Sequence, residues 1–456
     1  MQHQPGNPLH SRIGFHYFAD CLHYKENDLR NWLPELNNLG ASWLTLFAPN
    51  ERAIPESFLQ GLLGANIEPV LHFHLPVKNP NPDRILDLLF QNYARWGVRY
   101  VALFDRPNLR SSWPARSWTQ SDLVERFLDI FLPIAESCLQ SGLTPVFPPL
   151  EPGGDYWDTA FLRAALHGIQ RRGHRNLLEN LAFGAYAWAG NRPLDWGAGG
   201  PERWPAARPY FNAEASQDHI GFRIFDWYLP IINAELGQEN PILLLAAGSR
   251  LGDQIDKKRP PVDSGAHAAA SLSIARLMQN SDQELGQPSS EPVPEQVLAC
   301  NFWLLASEPE GPDANQAWFW PTGPRLPAVD SLRSWNASRG IHPISGEKTY
   351  TIPSLDRTPG GAVSVQTSQG STHPISHYLL LPRYEWGIHD WHLELMNDFL
   401  KKYHPTVGFS LDEALLAERV TVIGGVQAFS DEILTGLKTA GCHVERLIAD
   451  GTILAT

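Results

Sequence analysis

Five carboxylates stand where apolar runs give way to polar or proline-rich residues: Asp105, Glu151, Asp155, Asp253 and Glu308. Two carboxyl groups, one protonated and one ionised, are the minimum for cleaving a glycosidic bond. Each of the five, taken alone, is more often a loop cap or an ion-pair partner. His72 and His74 lie two apart on one apolar run, so both project to the same side of a strand. With His16 on an earlier run they suggest metal ligation. A metal-dependent hydrolase would need further His or Asp ligands on later strands, yet the runs 143–147 and 181–188 end without histidine. Hydrogen bonding within a pocket is therefore the expectation for these histidines, with no resident metal and no cofactor. The aromatic residues Tyr186, Trp188, Trp196 and Trp303 offer flat apolar faces of the kind that stack on sugar rings.

The elements that must hold these groups can be read from hydrophobic patterning. Eight short apolar runs occur in the first 310 residues: Ile13–Phe18, Trp43–Ala48, Glu68–His74, Tyr100–Asp105, Leu143–Phe147, Leu181–Trp188, Ile242–Ala247 and Leu298–Ala306. Such runs, bounded by turn formers, read as buried strands. Between them lie helical stretches with apolar residues at three- and four-residue steps, among them Asp28–Leu39, Pro82–Trp96, Ser121–Gln140 and Trp157–Arg172. Gly40, Gly97, Gly142 and Gly173 follow these helices, where a C′ glycine belongs. Eight strands alternating with helices predict an α/β fold, a (β/α)8 TIM barrel over residues 1–310, with functional groups on the loops after the strands. The long segments Ala189–Ser216 and Gly248–Gly265 are two such loops.

Residues 311–375 are rich in Pro, Gly, Ser and Thr and read as a linker or a small β appendage, with strand-like pieces at Trp318–Trp320, Lys348–Ile352 and Ala362–Thr367. Residues 376–456 return to alternating strands and helices, enough for a small three-layer parallel α/β domain. Its expected strands are His377–Pro382, Thr406–Phe409, Val420–Ile423 and His443–Ile448, and its helices Asp390–Tyr403 and Ser430–Ala440. A nucleotide-phosphate loop at Gly424-Gly425 is disfavoured by Asp431 and Glu432, which would repel a phosphate at the following helix start.

Composition narrows the partners. The 456 residues carry a formal charge of −13, which disfavours nucleic acid and anionic lipid as main partners. No apolar run reaches the length of a membrane span. The N-terminus lacks a basic stretch followed by an apolar one, so no signal peptide is expected as given; localisation is extracellular or cell-surface if a leader was removed, otherwise cytoplasmic. Cys21, Cys138, Cys300 and Cys442 show no Cys-x-x-Cys spacing, and buried inert thiols are expected.

The fourth run and its sequel, Val101-Ala-Leu-Phe-Asp-Arg-Pro-Asn-Leu-Arg-Ser-Ser-Trp113, resemble the clan A glycoside hydrolases, whose fourth strand ends in Asn-Glu-Pro, often continuing Asn-Leu and then Trp. The resemblance implies a barrel acting on saccharides, with that Glu as general acid/base and a second Glu as nucleophile at the end of strand seven. Here the matching residues read Asp105-Arg106-Pro107, so Arg106 takes the acid/base place. On strand seven, Ile242-Leu-Leu-Leu-Ala-Ala-Gly-Ser-Arg-Leu-Gly-Asp253, the nucleophile place falls on Ala246 or Ala247. An arginine delivers no proton at neutral pH and an alanine cannot attack an anomeric carbon. Tyr186 and Trp188 at the end of strand six, Trp303 on strand eight, and the Gly- and aromatic-rich loop with Trp196, Trp204 and Tyr210 also resemble the clan.

The expectation is recognition of an oligo- or polysaccharide, largely without hydrolysis. Tyr186, Trp188, Trp196 and Trp303 would stack on sugar faces, and His72, Arg106, Asp105, Glu151 and Asp155 would bind hydroxyls. The alternative is a working glycosidase using relocated carboxylates among Asp105, Glu151, Asp253 and Glu308, and a second alternative is a metal-dependent barrel hydrolase. Near the C-terminus, Val420-Thr-Val-Ile-Gly-Gly425 with Ser430-Asp-Glu and Val444-Glu-Arg446 is similar to the cell-wall-binding repeat 2 family. That similarity implies a cell-surface polymer as a second partner. A single repeat is visible, and the chain stops at Asp450-Gly-Thr-Ile-Leu-Ala-Thr456 where the family continues with an Arg-Tyr-x-Thr run.

Overall fold

The eight apolar runs become eight parallel strands that close on themselves. The structure, a computed structural model, describes residues 11–77, 84–279, 291–339, 373, 375–381, 399, 402–403, 405–408, 410–423, 429–447 and 453–455. The barrel strands are β1 (Ile13–His16), β2 (Trp43–Phe47), β3 (Glu68–Phe73), β4 (Tyr100–Leu103), β5 (Thr144–Phe147), β6 (Ala182–Trp188), β7 (Ile242–Gly248) and β8 (Val297–Phe302), hydrogen-bonded in sequence order with β8 returning to β1. Each strand is buried on both faces, which explains why the runs look continuously apolar rather than alternating.

Two apolar clusters account for this burial. Inside the barrel, Trp43, Val70, Tyr100, Val146, Leu243 and Ala299 pack together. Outside it, strand residues such as Phe15, Leu71 and Phe147 meet the helices. The helix Leu123–Gln140 shows how the outer layer forms. Phe127, Leu128, Phe131, Ala135 and Cys138 recur at three- and four-residue steps and are all buried. It ends before Gly142, whose φ of +91° is one that an L side chain rarely adopts. Gly14 on β1 meets a different demand. A Cβ there would lie 2.3 Å from Asn301 Oδ1 and 2.5 Å from the Trp43 carbonyl oxygen, so the barrel closes only over a hydrogen.

The chain divides into two compact units, Met1–Lys348 and Thr349–Thr456. Residues 311–338, expected as a linker or β appendage, lie within the first unit. They form a two-stranded ribbon, β9 (Phe319–Trp320) with β10 (Gly323–Pro324), and a helix, Ala328–Ser338. That helix buries Ala328, Val329, Leu332 and Asn336, and Arg333 pairs with Glu35 of the first barrel helix. The surrounding Pro, Gly and Ser residues hide this period in the sequence. The pieces at Lys348–Ile352 and Ala362–Thr367 lie outside the described residues, as do Gly424-Gly425 and most of the helix expected at Asp390–Tyr403.

The second unit holds a five-stranded sheet in the order β12–β11–β13–β14–β15, with β11 Ile375–Leu380, β12 Thr406–Gly408, β13 Ala417–Ile423, β14 His443–Leu447 and β15 Ile453–Ala455. The expected all-parallel sheet is corrected at one edge, where β15 pairs antiparallel to β14. Five residues separate the two strands, too few for the crossover that a parallel neighbour requires. The helix Asp431–Thr439 covers this sheet with Leu434 and Leu437.

Candidate functional site

Strand β4 stops at Leu103, and the chain then leaves the sheet through two unusual residues. Phe104 has φ +64° and Arg106 φ +42°, both left-handed values for residues with bulky side chains. Between them Asp105 is held from two sides. The Tyr186 hydroxyl donates to its Oδ1 at 2.6 Å, and Arg106 Nε donates to its Oδ2 at 2.9 Å. Arg106 also reaches Glu151, Nη1 to Oε2 at 3.6 Å. One guanidinium therefore bridges the carboxylates that follow β4 and β5.

A buried amide positions Glu151. Asn108 is fully buried; its Nδ2 donates to the Glu151 carbonyl and its Oδ1 accepts from the Glu151 amide, each at 2.8 Å. This locks the loop after β5 to the loop after β4. Asn108 was legible only as part of the Asp-Arg-Pro-Asn run, with nothing to mark it as the latch.

The two carboxyl groups differ in pKa. Burial alone would raise the pKa of Asp105, but His74, His72, Arg106 and the Tyr186 hydroxyl outweigh it and hold the group below its ordinary value. Burial raises Glu151 above its ordinary value, against the opposing pull of Arg106 and Arg250. Burial and the Asp105 carboxylate push the Tyr186 hydroxyl well up, so it stays a donor.

The aromatic residues divide by what covers them. Tyr186 is buried between Trp188, stacked at 5.7 Å, and the Arg106 guanidinium, 5.8 Å from its ring centre. It serves Asp105 through its hydroxyl and offers no open face, contrary to the stacking role expected for it. Trp188 and Trp303 are half-buried and meet edge to face at 6.3 Å. Arg250, from the loop after β7, lies 4.5 Å over the Trp188 ring. Sequence reading overlooked Arg250, although a cation two residues past the end of a barrel strand was a signal. Trp196 departs more plainly from the expected stacking role. Its ring lies under the Arg192 guanidinium at 4.3 Å and its indole N–H donates to Asp218, so it braces its own loop.

The remaining carboxylates also have structural partners. Asp155 accepts the Arg110 amide at 2.8 Å, Asp253 pairs with Arg250 at 3.2 Å, and the exposed Glu308 reaches His23 at 3.7 Å. Ala246 and Ala247, in the strand-seven place of the nucleophile, are buried in β7.

Histidines line the other side of the mouth. His72 Nε2 lies 2.8 Å from the Phe104 carbonyl oxygen, and His74 Nε2 lies 3.3 Å from His72 Nδ1. Donor atoms of His72, His74 and Asp105 all fall within 4.8 Å of one another, an arrangement able to hold a metal ion. His16, buried beside Phe47 and Trp303, has no hydrogen-bond partner for either ring nitrogen. A groove of about 260 Å³, walled by Asp20, Cys21, Pro49 and Asn50, opens onto His72 and His74. A larger hollow of about 800 Å³ lies between the C-terminal ends of helices Arg84–Arg95 and Leu123–Gln140, away from these groups.

No family model and no curated protein matches this chain. Solved structures do align with it. An endo-β-1,3-glucanase of GH128 subgroup II from Sorangium cellulosum aligns at TM-score 0.38 and 12% identity, covering 71% of this chain and 98% of that one. An endo-β-1,4-glucanase from Xanthomonas axonopodis pv. citri aligns at 0.37 and 10%, covering 73% and 99%. A GH10 endo-β-1,4-xylanase from Gloeophyllum trabeum aligns at 0.40 and 8%, covering 71% and 95%. At such identities and scores these likenesses leave the chemistry to be argued from the residues themselves.

Proposed function

We propose that the barrel mouth binds an oligo- or polysaccharide and does so without the two-glutamate hydrolysis of clan A. The observation that carries this reading is Arg106. A guanidinium follows β4 where the resemblance sets a proton donor, and it is tied to Asp105 and Glu151 at once. No carboxylate occupies the place of the nucleophile, since β7 ends Ala246-Ala247-Gly248. Saccharide binding is supported by the half-buried indole of Trp303 next to charged hydrogen-bonding groups, while Trp188, between Tyr186 and Arg250, backs this wall. Charge-assisted bonds from Arg106 and to Asp105 and Glu151 are stronger than neutral ones. Arg106 and Arg250 at the same wall favour a sugar with a carboxylate, such as a uronate.

A second reading is favoured by the opposed acidities of the two carboxyls. Glu151 raised and Asp105 lowered is the pattern of an acid and its ionised partner. Because one guanidinium touches both, they stand no more than roughly 9 Å apart, which admits retaining (~5–5.5 Å) and inverting (~6.5–9.5 Å) spacings alike. For the C-terminal unit we propose, on its sequence similarity alone, a cell-surface polymer as partner. A glycan array probed with the whole chain tests the first reading: binding to at least one saccharide class, weakened in Trp303→Ala, supports it. An array with no bound glycan overturns it.

A further inference from the structure

We propose that His72, His74 and Asp105 form a binding site for a divalent transition-metal ion of the zinc class at the β3–β4 edge of the barrel mouth. Four observations lead there. The first is the spacing of the two imidazoles. His72 Nδ1 and His74 Nε2 are 3.3 Å apart. Two nitrogens each about 2.0–2.1 Å from a tetrahedral zinc ion stand about 3.3–3.4 Å from each other. The pair thus already has the separation of two ligands on one ion.

The second is that the outer partners are in place. A metal-bound histidine ordinarily donates its other N–H to a carbonyl or carboxylate, which fixes its tautomer. His72 does this through Nε2 to the Phe104 carbonyl, leaving Nδ1 with a lone pair on the side of His74. Asp105 is braced in the same way. Arg106 occupies its Oδ2 with Nε and Nη2, while Tyr186 takes one lone pair of Oδ1. A carboxylate oxygen has two lone pairs, so Oδ1 retains one for a cation. The Arg106 charge is spent on Asp105 Oδ2 and Glu151.

The third is the neighbouring His16. Both its nitrogens are buried without a partner, a cost that proteins rarely leave unmet. A water or hydroxide bound to the ion would give this imidazole the partner it lacks. The fourth is access, since the 260 Å³ groove connects solvent with His72 and His74.

The site does not depend on the carbohydrate reading, and its test contains no sugar. The whole chain, stripped with a chelator and checked for folding by circular dichroism, is titrated with Co²⁺ and then with Zn²⁺. The expected result is one equivalent of Co²⁺ with visible d–d absorption, displaced by Zn²⁺. His74→Gln, at an exposed position that spares the core, weakens uptake by more than about 100-fold, beyond the 10–100-fold typical of outer partners. Tyr186→Phe, which removes only the hydroxyl on Asp105, weakens it by about 10-fold. His167→Gln, an exposed histidine elsewhere, leaves it unchanged. A folded chain that takes up no stoichiometric metal overturns the proposal, and so does a His74→Gln chain that binds as the parent does.

Discussion

Removing the Arg106 guanidinium should change which sugars are bound more than how tightly a neutral one is bound. The size of the effect follows from the surroundings of Arg106. Two unit charges about 4 Å apart interact by about 4 kcal/mol at the effective dielectric of a protein surface. Arg106 already spends part of its field on Asp105 at 2.9 Å and Glu151 at 3.6 Å, and its side chain is 42% exposed. Screening and this internal neutralisation reduce the share left for a bound uronate to about 1–1.5 kcal/mol, or about 10-fold in Kd. A neutral sugar of the same length loses a hydrogen bond and regains partners on the freed Asp105 and Glu151, so its affinity shifts by less than about 3-fold. The assay is isothermal titration of Arg106→Ala and the parent chain with neutral and uronic oligosaccharides matched in length. Arg106→Lys retains the charge but loses the two-pronged grip on Asp105, and should keep most of the uronate preference. Equal losses for both sugars would show instead that Arg106 supports the pocket and does not read charge.

Other consequences are as direct. Trp303→Ala should weaken saccharide binding by about 10-fold in the same titration, from the loss of an aromatic face worth about 1–1.5 kcal/mol. His74 is held at about 3 in the fold against an ordinary 6.5. The unfolded chain therefore binds more protons between those values, and this residue costs stability as the pH falls through that window. His74→Gln should flatten the decline of Tm between pH 6.5 and pH 3, measured by scanning calorimetry. Gly14→Ala should cost about 3 kcal/mol or more, since the added methyl meets the Asn301 amide and a β2 carbonyl at under 3 Å. Denaturant titration reads that loss, and an unchanged midpoint would count against the close approach of β1 and β2.

The barrel was legible because burial on both faces makes each strand a short, continuous apolar run, and because glycines punctuate the helices between them. Most element ends shifted by a residue or two, as at β4, where Phe104 and Arg106 turn out of the sheet, but β8 stops at Phe302, four residues before the expected end, and β13 begins at Ala417, three residues before the expected start. The helix Ala328–Ser338 escaped notice since only Ala328, Val329, Leu332 and Asn336 make its buried stripe, amid helix-breaking composition. At the mouth, His72, Asp105, Arg106, Glu151, Trp188 and Trp303 could be placed from strand ends alone. Which of them touch could not, because that depends on strand neighbours in space. The union of His72 and His74 with Asp105 needs β3 beside β4, and the Tyr186–Asp105 bond spans 81 residues. Trp196 illustrates the converse. Its type suited a sugar platform, but Arg192 and Asp218 on the same long loop claim both its face and its N–H.

The most direct measurement is product analysis on a glycan that the chain binds. The parent chain is incubated with that glycan at a concentration well above Kd, and new reducing ends are followed by mass spectrometry. The glycan is expected to be recovered intact from the complex. Release of shorter saccharides, abolished by Glu151→Gln or Asp105→Asn, would contradict it and make the pair after β4 and β5 the catalytic carboxyls.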